Sequence, residues 1–105
     1  MSGWIGVDLD GTLAHYNYWR GTDHVGAPIR RMRRRVVEWL AEGREVRILT
    51  ARKAASYPAI ERWCQRHLGQ VIPITNQKDF AMIELWDDRA VQVEPNTGRR
   101  VDGRE

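Results

Sequence analysis

Four aspartates fall in two tight pairs, each at the end of an apolar stretch: Asp8 and Asp10 where Trp4–Leu9 ends, and Asp87 and Asp88 after Ile83–Trp86. Four carboxylates brought to one place repel strongly, since a single like-charged pair at roughly 4 Å costs about 4 kcal/mol at an effective dielectric near 20. A cation would have to offset that repulsion. An all-oxygen set with room for water and a substrate oxygen suits Mg²⁺ better than a fully caged Ca²⁺. His15, His24 and His67 lack the paired spacing of a zinc site. A carboxylate beside such a cation can act as a nucleophile, and a second one two residues along a strand points to the same face, where it can move a proton.

Whether the pairs meet depends on the elements that carry them. Trp4 to Leu9 reads as a first strand, stopped by the turn Asp10-Gly11-Thr12, and residues 13–26 read as a loop or small flap. Pro28 opens an amphipathic helix in which Ile29, Met32, Val36, Trp39 and Leu40 recur at three- and four-residue steps until Gly43. Glu45 to Thr50 is a second strand, Ala54 to Leu68 a second helix stopped by Gly69, and Val71 to Ile74 a third strand. Lys78 to about Met82 predicts one short helical turn, Ile83 to Trp86 a fourth strand and Ala90 to Val93 a fifth. From Pro95 to residue 105 the chain reads as a polar tail.

Strands alternating with helices predict an α/β fold: a three-layer, Rossmann-like arrangement with a mostly parallel five-stranded sheet and helices on both faces. A chain of 105 residues with 42% hydrophobic and 30% charged residues suits one domain, 1–105, with one core. In such a sheet, ligands bind outside the carboxyl ends of the strands, which is where both aspartate pairs would lie. Thr50 ends the second strand, with Ala51 and Arg52 after it, and Lys78 precedes the fourth, so these groups reach the same edge. A hydroxyl and an ammonium beside a carboxylate-bound metal make a seat for a phosphoryl group.

The ordered set Asp8-Leu9-Asp10-Gly11-Thr12, Leu49-Thr50, Lys78 and Asp87-Asp88 resembles the four motifs of the haloacid dehalogenase superfamily, over residues 4–94. The resemblance implies a phosphomonoesterase in which Asp8 attacks phosphorus and forms an aspartyl-phosphate. Asp10 would be general acid and then general base, with Thr50 and Lys78 on the phosphoryl oxygens. Mg²⁺ would be held by the Asp8 carboxylate, the Asp10 backbone carbonyl and one of the last pair, Asp88 in preference to Asp87. Asp10 also speaks against dehalogenation, because a halide leaving group needs no proton. Where relatives often have a glycine before the last aspartates, Trp86 stands here.

The gaps between motifs leave no room for a cap domain, which implies an open site. Such a site admits a large phosphorylated substrate, including a nucleic-acid end, or a small metabolite if a partner subunit supplies the lid. The Asp87-Asp88-Arg89 ending also resembles the phosphatase half of polynucleotide kinase-phosphatases. The alternative is a metal- and phosphate-binding module of the same fold that turns nothing over or works only within an assembly.

Other features have plainer accounts. Arg30, Arg31, Arg33, Arg34 and Arg35 lie mostly opposite the apolar stripe of their helix, as a solvated face does, and a net charge of +3 is a weak sign of a polyanionic partner. Arg52, directly after Thr50, has a better claim to a place near the substrate than the helix arginines, the alternative being a pair with a neighbouring carboxylate. Tyr16, Tyr18 and Trp19 can stack on bases or pack the flap onto the body. A single cysteine, Cys64, excludes an internal disulfide and fits a cytoplasmic setting. Apolar runs are too short to span a membrane, so no membrane partner is expected, and the oligomeric state is left open.

Overall fold

The computed structural model describes residues 3–104. Four parallel strands form one sheet in the order β3-β2-β1-β4: β1 (Trp4–Val7), β2 (Glu45–Leu49), β3 (Ile74–Thr75) and β4 (Met82–Trp86). The helices are α1 (Arg30–Ala41) and α2 (Tyr57–Leu68), the latter entered through a 3₁₀ turn at Ala54–Ser56. The chain leaves β1 in one direction through β2 and β3, then returns to the other side of β1 for β4. That reversal is the switch point at which open α/β sheets build their sites.

Alternation along the strands sorts the core. Ile5 and Val7 are in register with Val46 and Ile48, and all four are buried in one cluster with Met32 and Val36 of α1 and Ile60, Trp63 and Cys64 of α2. Burying each aliphatic side chain of this kind is worth about 1.5–3 kcal/mol. Both helices therefore cover the same sheet face, where helices on both faces were expected. Burial pushes the Cys64 thiol up to about 11, which fits a packing group and not a nucleophile.

Among the described residues the opposite face has no helix, for a reason of length. Only six residues, 76–81, lead from β3 back to β4, whereas a helical crossover takes a dozen or more. The segment crosses the face as irregular chain with a turn at Phe80-Ala81, in place of the expected helical turn. Asp79 accepts the Trp4 indole N–H at 2.8 Å, and the Trp4 N–H donates to Ala81 O at 2.8 Å. Arg47 lies over the Trp4 ring at 4.5 Å, so Trp4 is fully buried outside the main cluster. The arrangement has two layers in place of three.

The expected fifth strand, Ala90 to Val93, does not join the sheet. Only three residues, 87–89, separate β4 from Ala90, too few to carry the chain back for parallel pairing. Instead the chain folds on itself: the Glu94 N–H donates to Arg99 O at 2.7 Å and the Val101 N–H to Gln92 O at 2.9 Å. What reads as a polar tail is thus in part a short hairpin. β3 forms at Ile74–Thr75, later than Val71 to Ile74, and β1 ends at Val7 before the predicted Leu9. No helix among the described residues is long and apolar enough to cross a membrane.

Candidate active site

The carboxyl ends of all four strands open into one crevice of about 900 Å³ whose lining includes Asp8, Asp10, Thr50, Arg52, Lys78 and Asp87. Each arrives from a different connection: Asp8 and Asp10 follow β1, Thr50 and Arg52 follow β2, Lys78 follows β3 and Asp87 follows β4. The Asp8 N–H donates to Trp86 O at 2.9 Å and the Thr50 N–H to Thr75 O at 2.9 Å, which extends the ladders one residue past the strand ends and fixes both side chains at the rim.

Asp8, Asp87 and Asp88 each place a carboxylate oxygen within 4.8 Å of the others. Burial first, then the charge of Asp87 and the contacts and charge of Asp88, push the Asp8 carboxyl up to about 7; the Thr12 hydroxyl opposes the rise. A metal-free cluster is thus electrostatically frustrated, and three convergent oxygen donors are what a hard divalent cation takes.

Thr12 ties the two acidic motifs together, a role beyond the turn-stabilising bond its position suggests. Its hydroxyl accepts the Asp88 N–H at 2.9 Å and can donate to Asp88 Oδ1, 3.1 Å from Oγ1, or to Asp8 Oδ2, at 3.3 Å. Gly11 makes the approach possible: at φ +91° a Cβ would stand 2.7 Å from Asp88 Oδ2.

Asp10 does not join the acidic cluster through its side chain. The Arg52 guanidinium donates from Nε to Oδ2 and from Nη2 to Oδ1, both at 2.8 Å, in a bidentate ion pair. The four-carboxylate convergence expected from sequence is thus a cluster of three beside a compensated fourth. Arg52 is buried, and its Nη1 has no hydrogen-bond partner. Its guanidinium also lies 4.9 Å from the centre of the Trp19 ring. Only three-dimensional proximity reveals Asp10 as the partner, forty-two positions away in sequence.

Thr50 is buried and its hydroxyl accepts the Arg52 N–H at 3.1 Å, leaving its proton for a ligand in the crevice. Ala51 is exposed at the turn between them and lines the crevice with Lys53, Asn76 and Arg89. The flap over residues 13–26 is clasped at its base: the His15 N–H donates to Ala27 O at 2.8 Å, and at Gly26 a Cβ would sit 2.0 Å from His15 O. The indole of Trp63 donates to Gly26 O at 2.7 Å and the Ser56 hydroxyl to Thr22 O at 3.0 Å, anchoring the flap to the second helix and the turn before it.

No family model matches the chain, and no curated protein matches it. Among solved structures it is similar to a conserved protein from Bacteroides thetaiotaomicron, with a TM-score of 0.65 and 22% identity, over 87% of this chain and 79% of that one. At that identity the likeness is one of fold.

Proposed function

We propose that the chain is a Mg²⁺-dependent phosphomonoesterase of the haloacid dehalogenase type. The observation that carries this reading is the meeting of Asp8, Asp87 and Asp88 at the crevice that Thr50 and Lys78 also line. Asp8, Asp87 and Asp88 would hold the cation, with the Asp10 backbone carbonyl as the superfamily pattern implies. When bound, that cation offsets the clustered charge, keeps Asp8 ionised and polarises the phosphoryl oxygens.

The chain's own groups then divide the work. A carboxylate oxygen of Asp8 attacks phosphorus as the bond to the ester oxygen breaks, forming an aspartyl-phosphate. The departing oxygen would take a proton from Asp10, which for this step is the neutral acid released from its pair with Arg52; the resulting carboxylate would next remove a proton from water as that water attacks phosphorus and the bond to Asp8 breaks. Thr50 donates its hydroxyl proton to a phosphoryl oxygen and Lys78 supplies positive charge.

Arg52 fits this scheme through its pair with Asp10, which would turn that carboxylate away from the acidic cluster and to the leaving-group side. The finer architecture of the superfamily, with a fifth strand and a second helical layer, is not needed for any of these steps. With no cap over the crevice, bulky esters can enter.

The test is release of inorganic phosphate from a panel of phosphomonoesters with Mg²⁺ and with a chelator. Metal-dependent release lost in Asp8→Asn supports the reading. Release by neither, across small and large esters, rejects it.

A further inference from the structure

Beside the ion pair of Asp10 and Arg52 lies a second cavity, of about 160 Å³, that the phosphoryl chemistry leaves without a role. It shares Asp10, Tyr16 and Arg52 with the strand-end crevice, so the two spaces adjoin at the pair. The flap supplies most of its remaining wall, including His15, Asn17, Arg20 and His24. A leaving group served by Asp10 departs next to this cavity.

The wall is short of negative charge. Asp10 is the one acidic group among the described residues that line it, and Arg52 already occupies both its oxygens. Arg20 lies over the Tyr18 ring at 4.6 Å, and among the described residues no carboxylate pairs with Arg20, His15 or His24. One unmatched guanidinium, two imidazoles and the Asn17 amide make a wall rich in donors, which suits an anionic group.

Arg52 says which anionic group. Its side chain is only 5% exposed, and a buried guanidinium deprived of its carboxylate is strongly destabilised. In the proposed reaction Asp10 turns from Arg52 to the ester oxygen, so Nε and Nη2 need another acceptor at that step. The position Asp10 vacates held two oxygens of one planar group, each 2.8 Å from a guanidinium nitrogen. A second carboxylate reproduces both bonds, whereas a phosphate is tetrahedral and carries nearly two charges.

Resting on the phosphatase reading, we infer that the substrate is the phosphate ester of a small hydroxycarboxylic acid. Its phosphoryl group meets Asp8 at the crevice. Its carboxylate enters the flap cavity beside Arg20 and accepts from Arg52 Nε and Nη2 in the place of Asp10, which is thereby freed to face the ester oxygen. Arg20 and Arg52 set specificity for the acid, and neither touches phosphorus.

The experiment compares 3-phosphoglycerate with glycerol 3-phosphate, which differ in a carboxylate against a hydroxymethyl group, as substrates with Mg²⁺. Wild type favours the first in kcat/KM on the order of ten-fold or more, the worth of hydrogen bonds to a charged group. The ratio falls on the order of ten-fold in Arg20→Gln, and also in Arg52→Lys, which keeps the charge and loses the two-pronged donor. Alongside, calorimetry in the Asp8→Asn background, where the probes stay intact, finds 3-phosphoglycerate bound on the order of ten-fold more tightly than glycerol 3-phosphate, a gap that Arg20→Gln closes.

A wild-type ratio near unity, or a ratio that Arg20→Gln leaves in place, overturns the inference. So does a higher kcat/KM for propane-1,3-diol bisphosphate or for a terminally phosphorylated oligonucleotide than for 3-phosphoglycerate. A protein that hydrolyses glycerol 3-phosphate as well as 3-phosphoglycerate retains the phosphatase reading and loses this one. A protein that hydrolyses no ester loses the phosphatase reading, and the calorimetric comparison still decides whether the cavity takes a carboxylate.

Discussion

Asp8 and Asp10 stand two residues apart at the end of one strand, and their surroundings are opposite. Asp8 faces two more carboxylates and is pushed up to about 7 by burial and by their charge, whereas both oxygens of Asp10 accept hydrogen bonds from one buried guanidinium. One cluster is all carboxylate and the other includes a guanidinium. The contrast teaches that two identical side chains take different electrostatic states from their partners; in the proposed reaction the first would bind the cation and the second, once released from Arg52, would carry the proton.

Removing the frustrated member should have the largest effect. Asp8→Asn lowers phosphate release to below about 10⁻³ of wild type while the protein stays folded, since loss of an attacking group is among the costliest changes an enzyme can suffer. Single-turnover assays with circular dichroism check this. Retained turnover would place the nucleophile elsewhere and erase the contrast.

Breaking the compensated side acts first on stability. Arg52→Met leaves Asp10 partly buried without its partner and should cost roughly 2–3 kcal/mol, less than for a fully enclosed pair because Asp10 keeps some solvent. A domain of this size would then melt on the order of 10 °C lower. Adding Asp10→Asn to Arg52→Met should recover part of the loss, and a double-mutant cycle by thermal melting measures the coupling. Additive losses would mean that the pair contributes nothing of its own.

The bridge between the acidic motifs comes next. Thr12→Val removes the hydroxyl that contacts both Asp8 and Asp88 and should weaken Mg²⁺ binding about ten-fold, as outer-shell changes commonly do. Calorimetric titration reads it directly.

The smallest expected effect is a pH dependence. Asp8 has a folded value of about 7 against roughly 3.9 unfolded. The stability associated with this raised group is fully present below about pH 4 and is lost as pH rises through about 7. Metal-free Asp8→Asn, which lacks the titration, should match wild type near pH 4 and melt a few degrees higher at pH 8, a gap that saturating Mg²⁺ closes or reverses. A gap that is the same at both pH values would mean that the clustered carboxylates do not oppose one another.

Much of this was legible in the residues. The two aspartate pairs end apolar stretches, and parallel pairing brings strand ends to one edge, so the placing of Asp8, Asp10 and Asp87 in one crevice with Thr50 and Lys78 follows from their order along the chain. The stripe of Met32 and Val36 marks α1 in the same way. What periodicity hides is anything decided by path length or by distant partners.

Val91 and Val93 have strand-forming side chains, but three residues cannot return the chain for a parallel neighbour, and both remain about half exposed. Trp4 reads as core and is buried, yet beneath Arg47 and Asp79 on the face without helices. The pairing of Arg52 with Asp10 and the double contact of Thr12 depend on the closed fold, and no local pattern announces them.

The central claim, a cation site centred on Asp8 with that residue as the group bonded to phosphorus, is tested most directly by a crystal structure with Mg²⁺ and beryllium fluoride, which mimics a phosphorylated carboxylate. The account predicts metal density among Asp8, Asp87 and Asp88, with beryllium bonded to an Asp8 carboxylate oxygen. Metal bound away from that cluster, or beryllium on any other residue, would contradict it.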